Sequence, residues 1–552
     1  MSDSIVNIAA HLPAMARQQP HRQSVVFPHG RDAAGRVSYT HYTFRQLDEA
    51  SDRIAAGLIA HGIVRGMRTV LMVTPSLDFF ALTFALFKIG AVPVMIDPGM
   101  GIKNLGKCLG EAEPEAFIGI PKAHIARCLF RWARGSIKHL VTVGPRLGWG
   151  GDTLAAIQKR LPAQHGFQMA ATQPEEVAAI LFTSGSTGVP KGVVYTHGIF
   201  DSQVRKLKAI YDIQPGETDL PTFPLFALFA PALGMTAIIP DMDATRPAGV
   251  DPGMIAECIE NFGVTNMFGS PALLNRVGRH GVAHGLKFPS LKRVISAGAP
   301  VSSAILERFS EMLEPDAQIF TPYGATEVLP VASIGSHEIL RDTAARTNAG
   351  GGVCVGKPVA GIELKVIGIT DEPIADWSDE LVLPVGEIGE IAVKGGNVTR
   401  EYFNRSESTQ LAKILDPVHG GFYHRMGDVG SQDEIGRIWF CGRKAHRVIT
   451  ATGTLFTIPC EAIFNTHPEV FRTALVGVQK NGQTEPVLCV EPDPETRKQT
   501  ESQIRTELLE IGAEHELTKG IKTILFHPAF PVDIRHNAKI FREQLAVWAN
   551  GR

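Results

Sequence analysis

Residues 183–192 read TSGSTGVPKG and directly follow the apolar run VAAILF of residues 177–182. These ten residues carry four hydroxyl side chains, three glycines and the ammonium group of Lys191. Glycine lets backbone N–H groups converge, and the hydroxyl and ammonium groups add donors, so the composition indicates a loop that binds phosphate. An ordinary Gly/Ser surface turn is the alternative, and the density of donors disfavours it.

The spacing of the glycines and the lysine differs from the Walker pattern. That pattern has four residues between its first glycine and the Gly-Lys pair and then begins a helix. Here two residues separate Gly185 from Gly188, two more separate Gly188 from Lys191, and the β-rich residues GVVYT follow. The sequence therefore predicts a hairpin loop between two strands.

Composition limits the class of protein. A chain of 552 residues with 44% hydrophobic content is too long for one core, so we expect at least two domains. A net charge of −2, with no evident Lys/Arg run, argues against nucleic-acid binding. Seven scattered cysteines, without C-x-x-C or zinc spacing, indicate a reducing compartment, the cytoplasm, and no structural zinc. The first residues lack the pattern of a signal peptide.

One uncharged segment, residues 220–240, has the length of a membrane span. Its four prolines, at 221, 224, 231 and 240, would interrupt a single helix. We therefore expect buried core that lines an apolar pocket, and no transmembrane span.

The order of predicted elements indicates an α/β fold. Up to about residue 440, short β-like runs alternate with helical patterns such as residues 44–61, which predicts doubly wound, mostly parallel sheets. Shorter elements follow, including a polar helix around residues 496–511. We predict a large N-terminal domain over residues 1–441 and a smaller α+β domain over residues 442–552.

Further polar segments suit a nucleotide, although each has a structural alternative. The residues SAGAP at 296–300 could lie against a flat ring, or they could simply end a strand. The residues YGATE at 323–327 offer an aromatic face for a base, a hydroxyl for a phosphate and a carboxylate for Mg²⁺. Alternatively, the aromatic residue could be buried beside a helix that Thr326 caps. Asp428 could accept hydrogen bonds from ribose hydroxyls or mark a turn. Lys539 could reach a site if the small domain folds back, or remain solvated.

The order of these segments is more specific than any one of them. TSGSTGVPKG, SAGAP, YGATE, GEIGEI, YHRMGD, GR and NAKI occur in the sequence and approximate spacing of the acyl-adenylate-forming superfamily, which this chain resembles over essentially its whole length. The resemblance implies an AMP-forming ligase that uses ATP and Mg²⁺, with a mobile C-terminal domain. Its catalytic residues would be Lys539, Thr326, Glu327 and Lys191, with Glu327 as the metal ligand. Its ATP-binding residues would be Thr183, Ser184, Gly185, Ser186, Thr187 and Gly188 for the phosphates, Gly298, Ala299, Pro300, Tyr323 and Gly324 for adenine, and Asp428 and Arg443 for ribose.

Two positions depart from the superfamily pattern. The stretch that gates substrate and thiol access reads PLFA, with Ala227 in place of an aromatic or histidine, and the hinge after Arg443 has Ala445 in place of aspartate or lysine. Both departures affect the half-reaction that forms a thioester. Drift at tolerant positions is the alternative explanation.

Within the superfamily, three segments resemble the branch that forms β-lactones in bacterial olefin biosynthesis: residues 97–119, 222–243 and 321–332. That resemblance implies a long-chain 2-alkyl-3-hydroxy acid whose own hydroxyl displaces AMP. It also implies association with a decarboxylase of the α/β-hydrolase type and a reductase. A long-chain acyl-CoA or acyl-carrier-protein ligase, and a nonenzymatic nucleotide-binding scaffold, remain alternatives. The base for the hydroxyl stays open, with His197, His424 and His446 as candidates by chemistry alone.

Overall fold

The computed structural model describes residues 5–159, 167–183, 190–494, 497–533 and 539–552. Its strands are β1 Gln23–Arg31, β2 Val37–Thr43, β3 Arg68–Met72, β4 Val92–Ile96, β5 Ala116–Gly119, β6 His139–Thr142, β7 Asp152–Thr153, β8 Val177–Thr183, β9 Lys191–Thr196, β10 Thr218–Pro221, β11 Thr236–Ile238, β12 Asn266–Phe268, β13 Arg293–Ile295, β14 Gln318–Phe320, β15 Tyr323–Ala325, β16 Val328–Ser333, β17 Val353–Pro358, β18 Ile362–Ile367, β19 Gly389–Gly395, β20 Lys413–Leu415, β21 Phe422–Gln432, β22 Ile438–Arg443, β23 Val448–Thr450, β24 Gly453–Leu455, β25 Val470–Lys480, β26 Gln483–Pro492 and β27 Thr523–Phe526.

The α-helices connect and cover these strands. They are α1 His11–Gln18, α2 Phe44–Ala60, α3 Leu77–Lys88, α4 Ile102–Ala112, α5 Pro121–Leu129, α6 Leu154–Lys159, α7 His197–Tyr211, α8 Pro224–Ala227, α9 Phe229–Leu233, α10 Pro252–Phe262, α11 Pro271–Ala283, α12 Ser303–Ser310, α13 Ser336–Glu338, α14 Ala344–Asn348, α15 Ser406–Ala412, α16 Thr457–Phe464, α17 Glu501–Ala513 and α18 Arg542–Asn550.

Two seven-stranded sheets, mostly parallel, form the first part of the chain. Their strand orders are β7-β6-β5-β3-β4-β8-β9 and β14-β13-β12-β10-β11-β1-β2, with only the last pair of each antiparallel. The non-sequential orders are those of doubly wound sheets, whose strands run buried between helices. The α/β prediction is confirmed. Helix α2 begins where the sequence predicts, because Thr43 and Gln46 form a reciprocal capping box.

One hydrophobic core joins the two parallel sheets. Helix α3 is buried along almost its whole length, and it packs in the same cluster as α2 and apolar residues from both sheets. The only charged residue in the last turn of α3, Lys88, is buried with Asp48 and Asp52 as ion-pair partners. A buried charge of this kind is tolerated only with such partners.

A third sheet follows, and it is antiparallel. It has eight strands in the order β15-β16-β17-β22-β21-β19-β18, with β20 beside β21. Its strands pair antiparallel throughout, with short turns between β15 and β16 and between β21 and β22, so the crossover connections that parallel pairing requires are not needed. The prediction of mostly parallel sheets up to residue 440 therefore holds for the first two sheets and not for the third.

Beyond Arg443 the chain forms a small unit with its own core. A hairpin of β25 and β26 extends to β27 by parallel pairing, and α16, α17 and α18 pack against it. The small α+β unit of the sequence analysis is thus present, with the polar helix at α17. The boundary between residues 441 and 442 stays a prediction.

The uncharged segment 220–240 is divided among β10, α8, α9 and β11. Most of its side chains are buried in the core shared by the parallel sheets. Among the described residues, none of the helices has both the length and the apolar composition of a membrane span.

Candidate active site

The phosphate-loop candidate connects two antiparallel strands. Thr183, the last residue of β8, pairs with Lys191, the first residue of β9. The hairpin prediction is therefore confirmed. Ser184, Gly185, Ser186, Thr187 and Gly188 lie outside the described residues. Strand β8 also pairs in parallel with β4, so the hairpin projects from the carboxyl edge of the sheet, where ligands of doubly wound folds bind.

Lys191 and Glu327 are linked by a tyrosine. The ammonium of Lys191 lies 4.9 Å from the centroid of the Tyr402 ring, and the Tyr402 hydroxyl donates a 2.7 Å hydrogen bond to Glu327 Oε1. Burial and the Glu327 carboxylate raise the pKa of Tyr402, so its hydroxyl stays a proton donor. Tyr402 therefore orients the carboxylate beside the lysine.

Thr326 and Glu327 occupy the tight connection between β15 and β16. The Tyr195 hydroxyl donates to the Thr326 carbonyl, and the Thr399 N–H donates to the Glu327 carbonyl at 2.9 Å. Gly324 permits this turn, because a β-carbon there would lie 2.6 Å from the Val328 carbonyl oxygen. The backbone at Thr326 and Glu327, the two predicted site residues, is thus held by hydrogen bonds from two other segments.

Tyr323, Asp428 and Arg443 form a second group. The Tyr323 hydroxyl donates to Asp428 Oδ2 at 2.7 Å, and Arg443 Nη1 lies 3.0 Å from Asp428 Oδ1. Burial raises the pKa of Asp428, while Arg443 and the Tyr323 hydroxyl act in the opposite direction. The nearby carboxylate raises the pKa of Arg443. The group presents an aromatic ring beside an oriented ion pair.

The predicted adenine loop follows β13. Gly298 has φ +99°, a conformation that favours glycine, and Gly298 and Pro300 are exposed while Ala299 is half-buried. The Ser296 N–H donates to the Phe320 carbonyl at 2.9 Å, which fixes the start of the loop. The loop therefore offers backbone at the carboxyl edge of the second parallel sheet.

Lys539, from the C-terminal unit, is close enough to Arg443 and Glu327 for their charges to act on its pKa. Its backbone N–H donates to Asp533 Oδ1 at 2.9 Å, and its carbonyl accepts from the Asp533 N–H at 3.0 Å. Burial and then the positive charge of Arg443 lower the pKa of Lys539, whereas Glu327 is among the carboxylates that raise it. These influences indicate that the structure brings Lys539, Arg443 and Glu327 into one region.

A buried pair behind this region was not predicted. Lys413 donates to the Thr399 carbonyl, and its Nζ lies 3.1 Å from His424 Nδ1. Burial lowers the pKa of Lys413 to about 7, with Glu327 acting against the shift. Neither Lys413 nor Tyr402 has a local sequence pattern that would identify it. Tyr402 reaches Glu327, 75 residues away in sequence, from the loop after β19, and Lys413 is positioned by the pairing of β20 with β21.

The three histidine candidates have different surroundings. His197 begins α7, at the far end of β9 from Lys191, and its Nδ1 accepts from the Ile8 N–H at 3.2 Å. At about 3.3 Å per residue, β9 places it roughly 15–20 Å from Lys191. His424 is buried beside Lys413, and His446 Nε2 lies 3.3 Å from Glu543 Oε1.

The arrangement fits Mg²⁺ held jointly with phosphate. Among the described residues, no three His, Cys, Asp or Glu side chains cluster to hold a metal alone. Tyr402 engages Oε1 of Glu327, and no hydrogen bond from the described residues engages Oε2. One carboxylate oxygen plus nucleotide phosphates is the ligand set that Mg²⁺ commonly uses.

Comparison with known proteins gives the family. The model of the AMP-binding enzyme family matches residues 12–403. The chain is 52% identical to the olefin beta-lactone synthetase of Xanthomonas campestris pv. campestris, covering 99% of this chain and 98% of that protein. It is 53% identical, with the same coverage, to the olefin beta-lactone synthetase of Stenotrophomonas maltophilia. A long-chain-fatty-acid–CoA ligase of Salmonella typhimurium is 26% identical over 82% of each chain.

Solved structures agree on the fold. The amide bond synthetase McbA of Marinactinospora thermotolerans aligns with TM-score 0.79 at 20% identity, covering 98% of this chain and 99% of that one. The anthranilate CoA ligase AuaEII, solved with anthranoyl-AMP, aligns with TM-score 0.79 at 18% identity, covering 100% and 99%. At these identities the likeness supports the fold alone. The predicted superfamily is confirmed: this chain belongs to the AMP-binding enzyme family, in the group that contains the olefin beta-lactone synthetases.

Proposed function

We propose that this protein uses ATP to activate a long-chain 2-alkyl-3-hydroxy acid and then closes it to a β-lactone, releasing AMP and pyrophosphate. The observation that carries this proposal is the full-length identity of 52–53% to two olefin beta-lactone synthetases, against 24–26% for long-chain-fatty-acid–CoA ligases. We place this chemistry in bacterial-type olefin biosynthesis and in the cytoplasm. The seven free cysteines suit that reducing compartment.

In the first step the substrate carboxylate attacks the α-phosphorus and pyrophosphate leaves. Two anions must approach, and Lys191 and Lys539 supply positive charge where negative charge accumulates. Bound Mg²⁺, held by Glu327 and the phosphates, would further neutralise the phosphate oxygens. We assign Thr326 to the α-phosphate, and Tyr402 holds the Glu327 carboxylate in place through its 2.7 Å hydrogen bond.

In the second step the 3-hydroxyl oxygen attacks the carbonyl carbon of the adenylate. The C–O bond to AMP breaks, the hydroxyl loses its proton, and a four-membered ring forms. The nucleophile belongs to the substrate, so no external thiol has to enter. Ala227, which is fully buried, and Ala445, which is exposed, stand where the superfamily pattern has its gate and hinge residues.

A cluster of aromatic side chains supports a long-chain substrate. Phe226 packs against Phe268 with ring centroids 4.5 Å apart and against Phe223 at 5.2 Å. These rings lie at the ends of β10 and β12, beside the strand β13 that leads to Gly298. A hydrocarbon chain in this region would be close to the proposed adenine loop.

The structure separates the candidates for the base that accepts the proton of the 3-hydroxyl. We discard His197, because it lies at the far end of β9 from the proposed phosphate site. Burial, and then the charge of the neighbouring Lys413, lower the pKa of His424 well below the ordinary value. A phosphate oxygen of the departing AMP is a further acceptor that needs no side chain.

A long-chain acyl-CoA ligase is the second candidate, since it shares the adenylation residues. The test is product analysis by mass spectrometry and NMR after incubation with ATP, Mg²⁺ and a synthetic 2-alkyl-3-hydroxy acid, with and without CoA. A β-lactone and AMP formed without CoA would support the proposal, whereas a thioester formed only with CoA would overturn it. A scaffold without activity would show no ATP–pyrophosphate exchange with the acid.

We also propose that the protein associates with a decarboxylase of the α/β-hydrolase type and with the reductase that makes the hydroxy acid. The motive is chemical, because a long-chain lactone is reactive and poorly suited to free diffusion in water. Size-exclusion chromatography of the mixed proteins tests this association. Separate elution at micromolar concentration would contradict it.

A further inference from the structure

One segment of this nearly neutral chain is strongly basic. Residues 116–151 contain no Asp or Glu, although the whole protein has 56 acidic and 54 basic residues. The same 36 positions carry six cationic side chains: Lys122, Arg127, Arg131, Arg134, Lys138 and Arg146. These cations are dispersed rather than consecutive, so the segment is basic although it contains no Lys/Arg run.

Apolar side chains protrude from the same segment. Ile125 is 49% exposed, Leu129 is 72% exposed and Phe130 is 44% exposed, all at or just beyond the second half of α5. The Phe130 ring stacks on the buried Trp132 ring with centroids 5.8 Å apart, and this contact holds the exposed ring in place. Single exposed apolar residues are ordinary, but three close together among cations are not.

Helix α4 extends this surface. Its Gly106 packs close to Trp132, and α4 exposes Ile102 to 53% together with Lys103 and Lys107. Towards the other end of α4, Glu111 is paired with Arg405 at 2.6 Å, and Glu113 is exposed. We call the exposed residues of 102–107 and 122–134 the basic apolar face.

We propose that the basic apolar face binds the surface of an anionic lipid bilayer. Apolar side chains that stand among long cationic ones suit the interface, where Leu and Phe enter the acyl boundary and Lys and Arg reach the phosphates. The face has no acidic group to repel anionic lipid, and its apolar residues protrude instead of forming a groove for a peptide. This proposal adds a location to the proposed function, since a long-chain acid partitions into bilayers.

The position of the basic apolar face would suit delivery of a long-chain acid from a bilayer to the proposed active site. Helix α4 follows β4 by five residues, and β4 lies beside β8, with Ile96 paired to Phe182 next to Thr183. The N-terminal end of α4, with Ile102, therefore lies at the sheet edge that carries the phosphate hairpin. A bilayer at this end of α4 would contact the molecule near the proposed phosphate site.

The experiment is sedimentation of the full-length protein with vesicles, without ATP or acid. We expect binding to vesicles of phosphatidylcholine with about one third phosphatidylglycerol, at least tenfold weaker binding to pure phosphatidylcholine, and loss of binding at high salt. The double variant Leu129→Ser/Phe130→Ser and the double variant Arg131→Glu/Arg134→Glu should each bind at least fivefold more weakly. Val418→Ser/Val547→Ser, which changes two apolar residues exposed elsewhere, 79% and 77%, should bind as the parent does.

Folding and the proposed function are controlled separately. All variants should keep the parent's melting temperature and its ATP–pyrophosphate exchange with a short, water-soluble 3-hydroxy acid, because none lies in the proposed site. Equal binding to neutral and anionic vesicles, or unchanged binding in both double variants of the face, would overturn the proposal. The proposal would also be overturned if the protein bound no vesicles but co-eluted with a pathway protein, and if the face variants abolished that co-elution. The face would then be a protein-binding surface. Failure of β-lactone formation would leave the vesicle result unaffected.

Discussion

Arg443 Nη1 lies 3.0 Å from Asp428 Oδ1, across the neighbouring strands β21 and β22 in which these two residues are directly paired. The Tyr323 hydroxyl holds the other carboxylate oxygen at 2.7 Å. The carboxylate is thus fixed by strand register and by two side chains of the protein itself, at the position proposed to bind ribose. Such pre-organisation reduces the cost of ordering the site on binding.

Asp428→Asn should weaken ATP binding. The amide removes the charge that pairs with Arg443, and breaking one partner of a desolvated pair costs more than losing a neutral hydrogen bond. We expect the KM for ATP to rise about 10- to 100-fold, which corresponds to about 1.4–2.8 kcal/mol. Pyrophosphate release against ATP concentration measures this. The control, Tyr323→Phe, should raise KM only several-fold, and an equal effect of the two changes would contradict this account.

Tyr402→Phe should weaken the response to Mg²⁺. The change removes only the hydroxyl that holds Glu327 Oε1 at 2.7 Å and keeps the ring beside Lys191. Supporting partners of a metal ligand typically contribute about 10-fold or more to metal affinity or activity. We expect half-maximal activity at about 3- to 10-fold higher Mg²⁺, with activity recovered at saturation. A loss of activity that saturating Mg²⁺ does not restore would show that the Tyr402 hydroxyl has a different role.

Much of the architecture was predictable from local sequence, whereas the supporting residues of the site were not. The hairpin at Lys191 follows from glycine spacing and the β-rich residues after it, and α2 follows from its periodicity and its cap at Thr43. Tyr402 reaches Glu327 from the loop after β19, across 75 residues of sequence. Lys413 is positioned by the pairing of β20 with β21 and donates to the Thr399 carbonyl. The order of the segments, not the chemistry of any one, made the family recognisable.

The basic apolar face illustrates a second limit. Cations spaced along a helix and its following turn form no run, so a scan for consecutive Lys and Arg passes over residues 122–138. The informative pattern is the absence of acidic residues from this segment. It indicates a surface only once the fold shows that Leu129 and Phe130 are exposed in the same segment as those cations.

Gly324→Ala should destabilise the protein and reduce adenylation. The new β-carbon would lie 2.6 Å from the Val328 carbonyl oxygen, so the turn carrying Thr326 and Glu327 would have to shift. Overpacking of this kind costs about 1–3 kcal/mol. The matched control is Gly110→Ala in α4, where a β-carbon meets nothing within 4 Å. This change should raise the stability slightly, because alanine favours a helix more than glycine does. Thermal unfolding and pyrophosphate exchange of both variants check this; similar behaviour of the two would refute the packing argument.

His446→Gln should remove part of the loss of stability at acidic pH. Burial and then the charge of Arg542 lower the pKa of His446 to about 4, while Glu543 opposes the shift. The unfolded chain therefore takes up this proton at higher pH than the folded chain, so the free energy of unfolding falls as pH drops from about 6.5 towards 4. At about pH 5 the histidine should cost roughly 2 kcal/mol that glutamine does not. Urea unfolding of both proteins at about pH 7.5 and 5 measures the difference, and parallel losses would exclude this role.

Lys539→Ala should abolish adenylation while ATP binding stays largely intact. Lys539 comes from the C-terminal unit and shares a region with Arg443 and Glu327, whose charges shift its pKa in opposite directions. A cation that acts mainly where charge builds up at the α-phosphorus stabilises the transition state more than bound ATP. We expect pyrophosphate exchange to fall by about 100-fold or more, with the Kd for ATP changed less than about threefold. Lys522→Ala, an exposed lysine of the same unit, is the control and should leave both quantities unchanged. Normal AMP formation by the Lys539 variant would show that this lysine does not act in adenylation.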